Sequence, residues 1–251
     1  MFSLDGKKAL VTGASRGIGR VIAAAYARAG ADVALVARSA DGLEETAREV
    51  RDAGRKALVL PADLTSQSEA TGVVEETVAR LGGVDIVVNN AGGSSFMVPV
   101  NDLRLSGWEK VLRLNLDATL YVCQAAGKHL TGQGSGTVIN IASVAGLGAA
   151  PFLGAYGVAK AGVVSLTKTL AVEWAASGVR VNALCPGWTA TDLNRNLWES
   201  PDGGKATIAN VPMARWGRAD EMAGPAVFLA SDAASYMTGQ VLIIDGGLTA
   251  W

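Results

Sequence analysis

The sequence predicts an α/β fold, a parallel β-sheet covered on both faces by helices. Three observations predict it. Short apolar runs of β type alternate with stretches of helical spacing from one end to the other. The runs are apolar on both faces, as strands between two helical layers must be. Hydrophobic residues make up 49% of the 251 and charged residues 18%, which is enough to bury a large core.

Each element follows in order. Lys8–Thr12 is the first strand, and Gly17–Gly30 has helical spacing that closes on a glycine. Ala31–Ala37 reads as a strand, and Asp41–Ala53 as a helix that stops at Gly54. Lys56–Pro61 is the third strand. Ser66–Leu81 is a helix opening on a Ser cap, with Glu69 three residues on at capping-box spacing. Asp85–Asn89 carries the run Ile86-Val87-Val88 and is the fourth strand. A long helical stretch covers about Asn101 to Leu130. Thr137–Ala142 is a strand, Phe152–Ala176 a helix and Val179–Leu184 a strand. Ala219–Ala230 is a helix, and Gln240–Ile244 is the seventh and last strand. The sequence shows no repeat, low-complexity tract or linker, so one domain over residues 1–251 is expected. The long irregular region is about Pro186–Pro212. A loop of that length in a compact domain is usually functional, here a lid over about residues 187–215.

Composition excludes several function classes. The net charge is -1 with no Lys/Arg block, so nucleic acid is not an expected partner. Cys123 and Cys185 cannot form a disulfide framework and suit a reducing cytoplasm, the expected location. Met1 to Lys8 carries Asp5 and lacks the apolar stretch of a signal peptide. No run approaches the roughly 20 apolar residues of a membrane span. The lone histidine, His129, cannot build a zinc site of several imidazoles, and no metal is expected. Beside Lys128, late in a helix, it reads as a helix-end surface residue. Any acid or base must then be another residue type.

The first strand runs into Thr12-Gly13-Ala14-Ser15-Arg16-Gly17-Ile18-Gly19, and a helix follows. Glycines there allow a tight turn and let the backbone approach a pyrophosphate at a helix N-terminus. Three residues separate Gly13 from Gly17, unlike the usual G-x-G-x-x-G. The end of the second strand discriminates between the nicotinamide cofactors. A carboxylate there accepts from a free ribose 2′-OH, whereas an Arg meets a 2′-phosphate. Here Val36-Ala37 is followed by Arg38 and Ser39, and no carboxylate comes before Asp41. With Arg16 in the loop, this favours NADP(H) over NAD(H).

Tyr156 and Lys160 are four apart and share a helix face. An ammonium beside a phenol favours the phenolate, so Lys160 is expected to lower the Tyr156 pKa from about 10. Such a phenol exchanges a proton near neutral pH. Ser143 follows the strand Thr137–Ala142 at the edge where open α/β sheets bind ligands, and its hydroxyl is placed to hold a substrate oxygen.

With these motifs in hand, the chain resembles the short form of the short-chain dehydrogenase/reductase family. Thr12–Gly19 is similar to the family's TGxxxGxG loop, and Asn89-Asn90-Ala91-Gly92 to its NNAG. Asp63 stands where an acidic residue meets the adenine amine, and Asn115 where the long central helix carries a lone Asn. Ser143, Tyr156 and Lys160 match the Ser and the YxxxK. Pro186-Gly187 with Thr189 and Thr191 matches the nicotinamide-carboxamide segment, and Ile244-Asp245-Gly246-Gly247 the C-terminal signature. The resemblance implies a Rossmann-type doubly wound sheet. It assigns Tyr156 as general acid in reduction and base in oxidation, and Lys160 to the nicotinamide ribose. It gives Ser143 the substrate oxygen and Asn115 a water in a proton relay. It places Gly13, Ser15, Arg16, Ile18, Gly19, Arg38, Ser39, Asp63, Leu64, Asn89, Ala91, Gly92, Pro186, Gly187, Thr189 and Thr191 at the cofactor, with Tyr156 and Lys160. It also implies a homotetramer with the Asn115 and Tyr156 helices at a two-fold interface and Trp251 buried at a neighbouring subunit.

Three of the six tryptophans, Trp188, Trp198 and Trp216, lie in or just after the irregular region. With Leu193, Val144 and Phe152 they suit a bulky hydrophobic carbonyl or alcohol better than a free sugar, whose hydroxyls need polar partners. The expected substrate contacts are Ser143, Val144, Phe152, Tyr156, Trp188, Leu193 and Trp198. The expected activity is NADPH-dependent, reversible reduction of a ketone. The alternatives are a 3-oxoacyl-thioester reductase, an NAD-dependent polyol or sugar dehydrogenase, and a non-enzymatic NADP-binding scaffold.

Overall fold

The computed structural model describes residues 2–250, so Trp251, expected at a subunit interface, lies outside them. The first half of the chain runs β1 (Lys8–Thr12), α1 (Gly17–Arg28), β2 (Asp32–Ala37), α2 (Ala40–Asp52), β3 (Ala57–Pro61), α3 (Gln67–Leu81) and β4 (Ile86–Asn89). The second half adds α4 (Leu105–Leu112), α5 (Ala118–Gln133), β5 (Gly136–Ile141), α6 (Gly154–Trp174) and β6 (Val179–Pro186). It ends with β7 (Thr189–Ala190), α7 (Arg195–Trp198), α8 (Pro201–Ile208), β8 (Gly217–Arg218), α9 (Ala223–Ala230) and β9 (Val241–Ile244).

Seven strands form one sheet in the order β3-β2-β1-β4-β5-β6-β9, every neighbouring pair parallel. This is the doubly wound sheet that was expected. The order reverses between β1 and β4, which leaves a crevice at the carboxyl ends of the strands. The two faces divide the strand residues by alternation. Ala9, Val11, Val33 and Leu35 pack with α1, α2 and α9 through Ile22, Tyr26, Leu43 and Leu229. Leu10, Ala34, Val36 and Val87 pack with α3, α5 and α6 through Val74, Val122, Leu130 and Leu170. Each fully buried Val, Leu or Ile among them contributes roughly 1.5–3 kcal/mol. The buried Tyr26 hydroxyl donates to the Ala226 carbonyl at 3.1 Å and ties α1 to α9.

The structure departs from the sequence reading in identifiable places. The long helical stretch is broken: α4 ends at Leu112, a π-helical turn covers Arg113–Asp117, and α5 resumes at Ala118. A π turn adds one residue to the helical circuit without stopping the helix, and such turns are frequent at functional sites. Ser66 does cap α3, accepting from the Glu69 N–H. The Glu69 carboxylate, however, accepts from the Asp63 N–H at 2.8 Å and holds the loop after β3. The region about Pro186–Pro212 is not irregular throughout, since it contains β7, α7 and α8. His129 is half-buried in a groove between α3 and α5, and its Nε2 has no hydrogen-bond partner, so it is not a free surface residue.

Candidate active site

A cavity of about 1260 Å³ opens along the crevice, from Arg38 at one end to Trp188 and Leu193 at the other. Its floor is the loop from β1 into α1. Gly13 and Gly17 take left-handed φ angles of 63° and 57° there. Gly19 must lack a side chain, because a Cβ would stand 2.3 Å from the Gly13 carbonyl oxygen. Asn90 braces the turn by donating to the Thr12 and Gly13 carbonyls at 3.0 and 3.2 Å. Thr12 Oγ1 accepts from the N–H groups of Asn90 and Ala91 and donates to the Val88 carbonyl. No side chain caps α1, so its first N–H groups remain free for an anion.

The far end suits the rest of a dinucleotide phosphate. Arg16, Arg38 and Ser39 line the cavity. Among the described residues neither arginine is paired with a carboxylate. Asp63 and Leu64 line the wall beside them. The Asp63 carboxyl is held below its ordinary value, chiefly by the Thr65 N–H and hydroxyl that donate to it. Ser15, Ile18, Ala91, Gly92, Pro186, Gly187, Thr189 and Thr191 also line the cavity. The residues present therefore fit NADP(H): uncapped amides for a pyrophosphate, two unpaired guanidiniums, and a carboxylate near the adenine end. Gly19, packed against the Gly13 carbonyl, and Asn89 are the expected cofactor residues that do not line the cavity. The Asn89 side chain is buried on the α5 side, where Nδ2 donates to Asn140 Oδ1 at 2.9 Å and to Cys123 at 3.2 Å. Strand alternation turns Asn89 inward and leaves Asn90, not separately expected, to brace the loop.

The acid–base groups meet midway along the cavity. Ser143 follows β5, Tyr156 and Lys160 lie on α6, and all three line the wall. Gly146 allows the Ser143 turn to sit on α6, since a Cβ there would come within 2.5 Å of the Lys160 carbonyl carbon. The Ser143 hydroxyl accepts from the Ala145 N–H at 3.2 Å and lies close enough to the Tyr156 phenol to favour the phenolate. Lys160 Nζ lies 5.7 Å from the Tyr156 ring centroid and donates to the Ile141 carbonyl at 2.7 Å. Burial lowers the Lys160 pKa to about 8.

The expected lowering of the Tyr156 pKa is corrected here. Burial is the dominant influence and raises it, the neighbouring Ser143 hydroxyl pulls it down, and the Cys185 sulfur raises it further. The ammonium does not offset the burial because it is turned toward Ile141. A phenol held in its protonated form is set up as an acid.

Asn115 sits in the π-helical turn, fully buried. Its Nδ2 donates to the carbonyls of Gly93 and Val111 at 3.0 and 2.9 Å, and its Oδ1 accepts from the Gly93 N–H at 2.7 Å. Its side chain is thus a clamp on the loop after β4. Asn115 and Lys160 still approach one another over Gly92, whose Cβ would lie 2.6 Å from Oδ1 and 3.3 Å from Nζ.

Val144, Trp188 and Leu193 line the open end as expected. Phe152 and Trp198 do not. Phe152 takes a left-handed φ of 66° and turns its ring outward, 54% exposed, while its carbonyl accepts from the Val98 N–H. Trp198 packs behind the segment and donates its indole N–H to the Thr191 carbonyl at 3.0 Å. Leu197, Asn210, Leu248 and Thr249 take their places. Leu248 and Thr249 were not foreseen. Only the packing of the C-terminal turn brings them in, where Asp245 accepts from the N–H groups of Gly247 and Thr249.

The fold and this site define an oxidoreductase of the nicotinamide-dinucleotide class. The profile of the family described as Enoyl-(Acyl carrier protein) reductase matches residues 13–249. The chain belongs to the short-chain dehydrogenase/reductase family. It is 40% identical over 248 residues to D-threitol dehydrogenase of Mycolicibacterium smegmatis, covering 99% of this chain and 95% of that one. A short-chain type dehydrogenase/reductase from Mycobacterium marinum shares the structure at a TM-score of 0.94, with 39% identity, 100% of this chain and 98% of that one covered. A gluconate 5-dehydrogenase from Burkholderia cenocepacia, solved in complex with NADP and tartrate, matches at a TM-score of 0.94 with 38% identity, over 100% and 98% of the two chains. Among the described residues no helix is long and apolar enough to cross a membrane.

Proposed function

We propose that this protein is an NADP(H)-dependent carbonyl reductase, reversible as an alcohol dehydrogenase, acting on a neutral, bulky ketone or secondary alcohol. The observation that carries this reading is the convergence of Ser143, Tyr156 and Lys160 on one wall of the cavity. When bound, the nicotinamide supplies or accepts the hydride. Ser143 holds the substrate oxygen beside the Tyr156 phenol. Tyr156 gives that oxygen a proton in reduction and takes it back in oxidation. Its raised pKa suits the acid role. Lys160 is held on Ile141 close to the phenol, where it binds the nicotinamide ribose. Thr189 and Thr191 meet the carboxamide, and Arg16 and Arg38 the 2′-phosphate.

The lining supports a neutral substrate. Among the described residues at the open end, Met97, Leu147, Trp188, Leu193 and Leu197 supply apolar surface, and Lys160 is the one cation that lines the wall nearby. Asp192 is paired with Arg195. A sugar-acid carboxylate brought to this end would lose its hydration without gaining a charged partner. A neutral polyol is the second reading. The D-threitol dehydrogenase relative favours it, and Ser94, Asn210 and Thr249 offer hydroxyl partners. The profile match brings acyl-carrier substrates into consideration, but the sequence shows no Lys/Arg block to receive an acidic carrier. The two buried free thiols, Cys123 and Cys185, fit work in a reducing cytoplasm. Exposed Leu105 on α4, and Val158 and Val172 on α6, fit assembly as a homotetramer.

The test is a panel of bulky ketones, β-ketothioesters, polyols and aldonates, each assayed with NADPH or NADH, or with the oxidised forms. NADPH oxidation that requires a neutral ketone supports the first reading. Turnover of polyols alone moves the assignment to the second, and tighter binding of NAD(H) overturns the cofactor preference.

A further inference from the structure

We infer that Asn194 is a positioning residue that fixes the polarity of the Thr191 hydroxyl, making it a hydrogen-bond acceptor toward the cavity. This rests on the proposal that Thr191 meets the nicotinamide carboxamide.

The orientation of the Asn194 amide is determined by its backbone partners. Oδ1 accepts from the Thr191 N–H at 3.0 Å, and Nδ2 donates to the Thr189 carbonyl at 3.0 Å. A backbone N–H cannot accept and a carbonyl cannot donate, so the amide cannot be flipped. The Thr191 hydroxyl lies 3.1 Å from the same Oδ1. Facing a pure acceptor, it must donate its single proton there. One lone pair accepts from the Asn194 N–H in the capping box, so an acceptor lone pair is what it still offers to the cavity it lines.

The rest of Thr191 is equally committed. Its carbonyl accepts from the Trp198 indole. Its Cβ and methyl lie 3.6 Å from the point where a Cβ on Gly17 would stand. Thr191 is therefore wedged between the glycine loop and Asn194. A carboxamide presents an NH₂ and a carbonyl, and a hydroxyl fixed as an acceptor selects the NH₂. Asn194 thereby orients the nicotinamide ring through Thr191, without needing to touch it.

The experiment compares the binding of NADP⁺ with that of its 3-acetylpyridine analogue, in which a methyl replaces the carboxamide NH₂. Dissociation constants are measured by calorimetry for the wild type, Thr191→Val, Asn194→Leu and Asn194→Asp. The wild type is expected to prefer NADP⁺ by about five-fold, the scale of one neutral hydrogen bond. Asn194→Leu is expected to lose that preference. Asn194→Asp, which keeps an acceptor for the Thr191 N–H and hydroxyl, is expected to retain it. If the wild type shows no preference, or Thr191→Val keeps it, the placement of Thr191 at the carboxamide fails. If Thr191→Val loses the preference but Asn194→Leu keeps it, the role of Asn194 is overturned. A loss in Asn194→Leu that is equal for both cofactors also overturns it, as an effect of general loosening.

Discussion

The Lys160 ammonium donates to the Ile141 carbonyl at 2.7 Å, joining the first turns of α6 to the carboxyl end of β5. Ile141 is two residues before Ser143, and Lys160 is one helical turn after Tyr156. This single bond therefore sets the spacing between the substrate-oxygen ligand and the acid–base phenol. Little of Lys160 is exposed, although it borders the cavity.

That burial gives a pH-dependent stability of definite sign. Lys160 is lowered from 10.5 to about 8. Below pH 8 both folded and unfolded chains carry the proton, and the folded state bears the full cost of the buried charge. Between about 8 and 10.5 the unfolded chain binds more protons, so the Lys160 contribution to stability improves as pH rises. The difference in urea midpoint between wild type and Lys160→Met is expected to move in favour of wild type across that window. The slope is at most about 1.4 kcal/mol per pH unit. A difference that stays flat or runs the other way contradicts the assignment.

Arg38→Asp is expected to weaken NADP(H) binding by roughly ten- to a hundred-fold, the range of a charge-assisted hydrogen bond. NAD(H) binding should be unchanged or tighter, because the introduced carboxylate can accept from a free ribose hydroxyl. Calorimetric titration of both nucleotides reads this directly. Equal weakening of the two would show that Arg38 does not meet the 2′-phosphate.

The parts of the site legible in the sequence depend on local spacing. Tyr156 and Lys160 could be read because a helix places residues four apart on one face, and Ser143 because it follows a strand. The Gly13–Gly19 turn could be read because phosphate-binding loops need missing side chains. Three features were hidden because they depend on distant packing. The sign of the Tyr156 shift is decided by how much water the completed cavity excludes. The outward turn of Phe152 follows from its left-handed backbone, and β branching or polarity in the sequence gives no sign of it. Leu248 and Thr249 reach the cavity only through the turn that Asp245 holds. Asn194 stood between these cases. Its spacing from Thr191 is a capping pattern readable in the sequence, but its hydrogen bonds to both threonines are visible only in the structure.

Gly19→Ala tests the glycine loop. Its methyl would stand 2.3 Å from the Gly13 oxygen, so the loop or α1 must shift. Overpacking of this kind costs roughly 1–3 kcal/mol. A lowered melting temperature together with weaker binding of both nicotinamide cofactors is expected. Unchanged affinity in a fully folded variant would separate the loop from the pyrophosphate.

The cations near the open end are committed, Lys160 to the Ile141 carbonyl and Arg195 to Asp192, which predicts discrimination by charge. The value of kcat/KM for an aldonate is expected to fall at least ten-fold below that for a neutral polyol or secondary alcohol of similar size. Leu147→Arg, which adds a guanidinium to that wall, should narrow the gap. Steady-state kinetics on matched neutral and anionic substrates decide it, and efficient turnover of gluconate by the wild type would contradict the neutral-substrate reading.

The central claim is that Tyr156 moves the proton to and from the substrate oxygen. The direct test is the rate of ketone-dependent NADPH oxidation in Tyr156→Phe, beside a calorimetric measurement of its NADPH affinity. Removing only the hydroxyl is expected to lower turnover by roughly 10²–10⁴-fold, the typical contribution of a positioned general acid, while NADPH still binds. A Tyr156→Phe protein that binds NADPH and turns over ketone at the wild-type rate would contradict the mechanism.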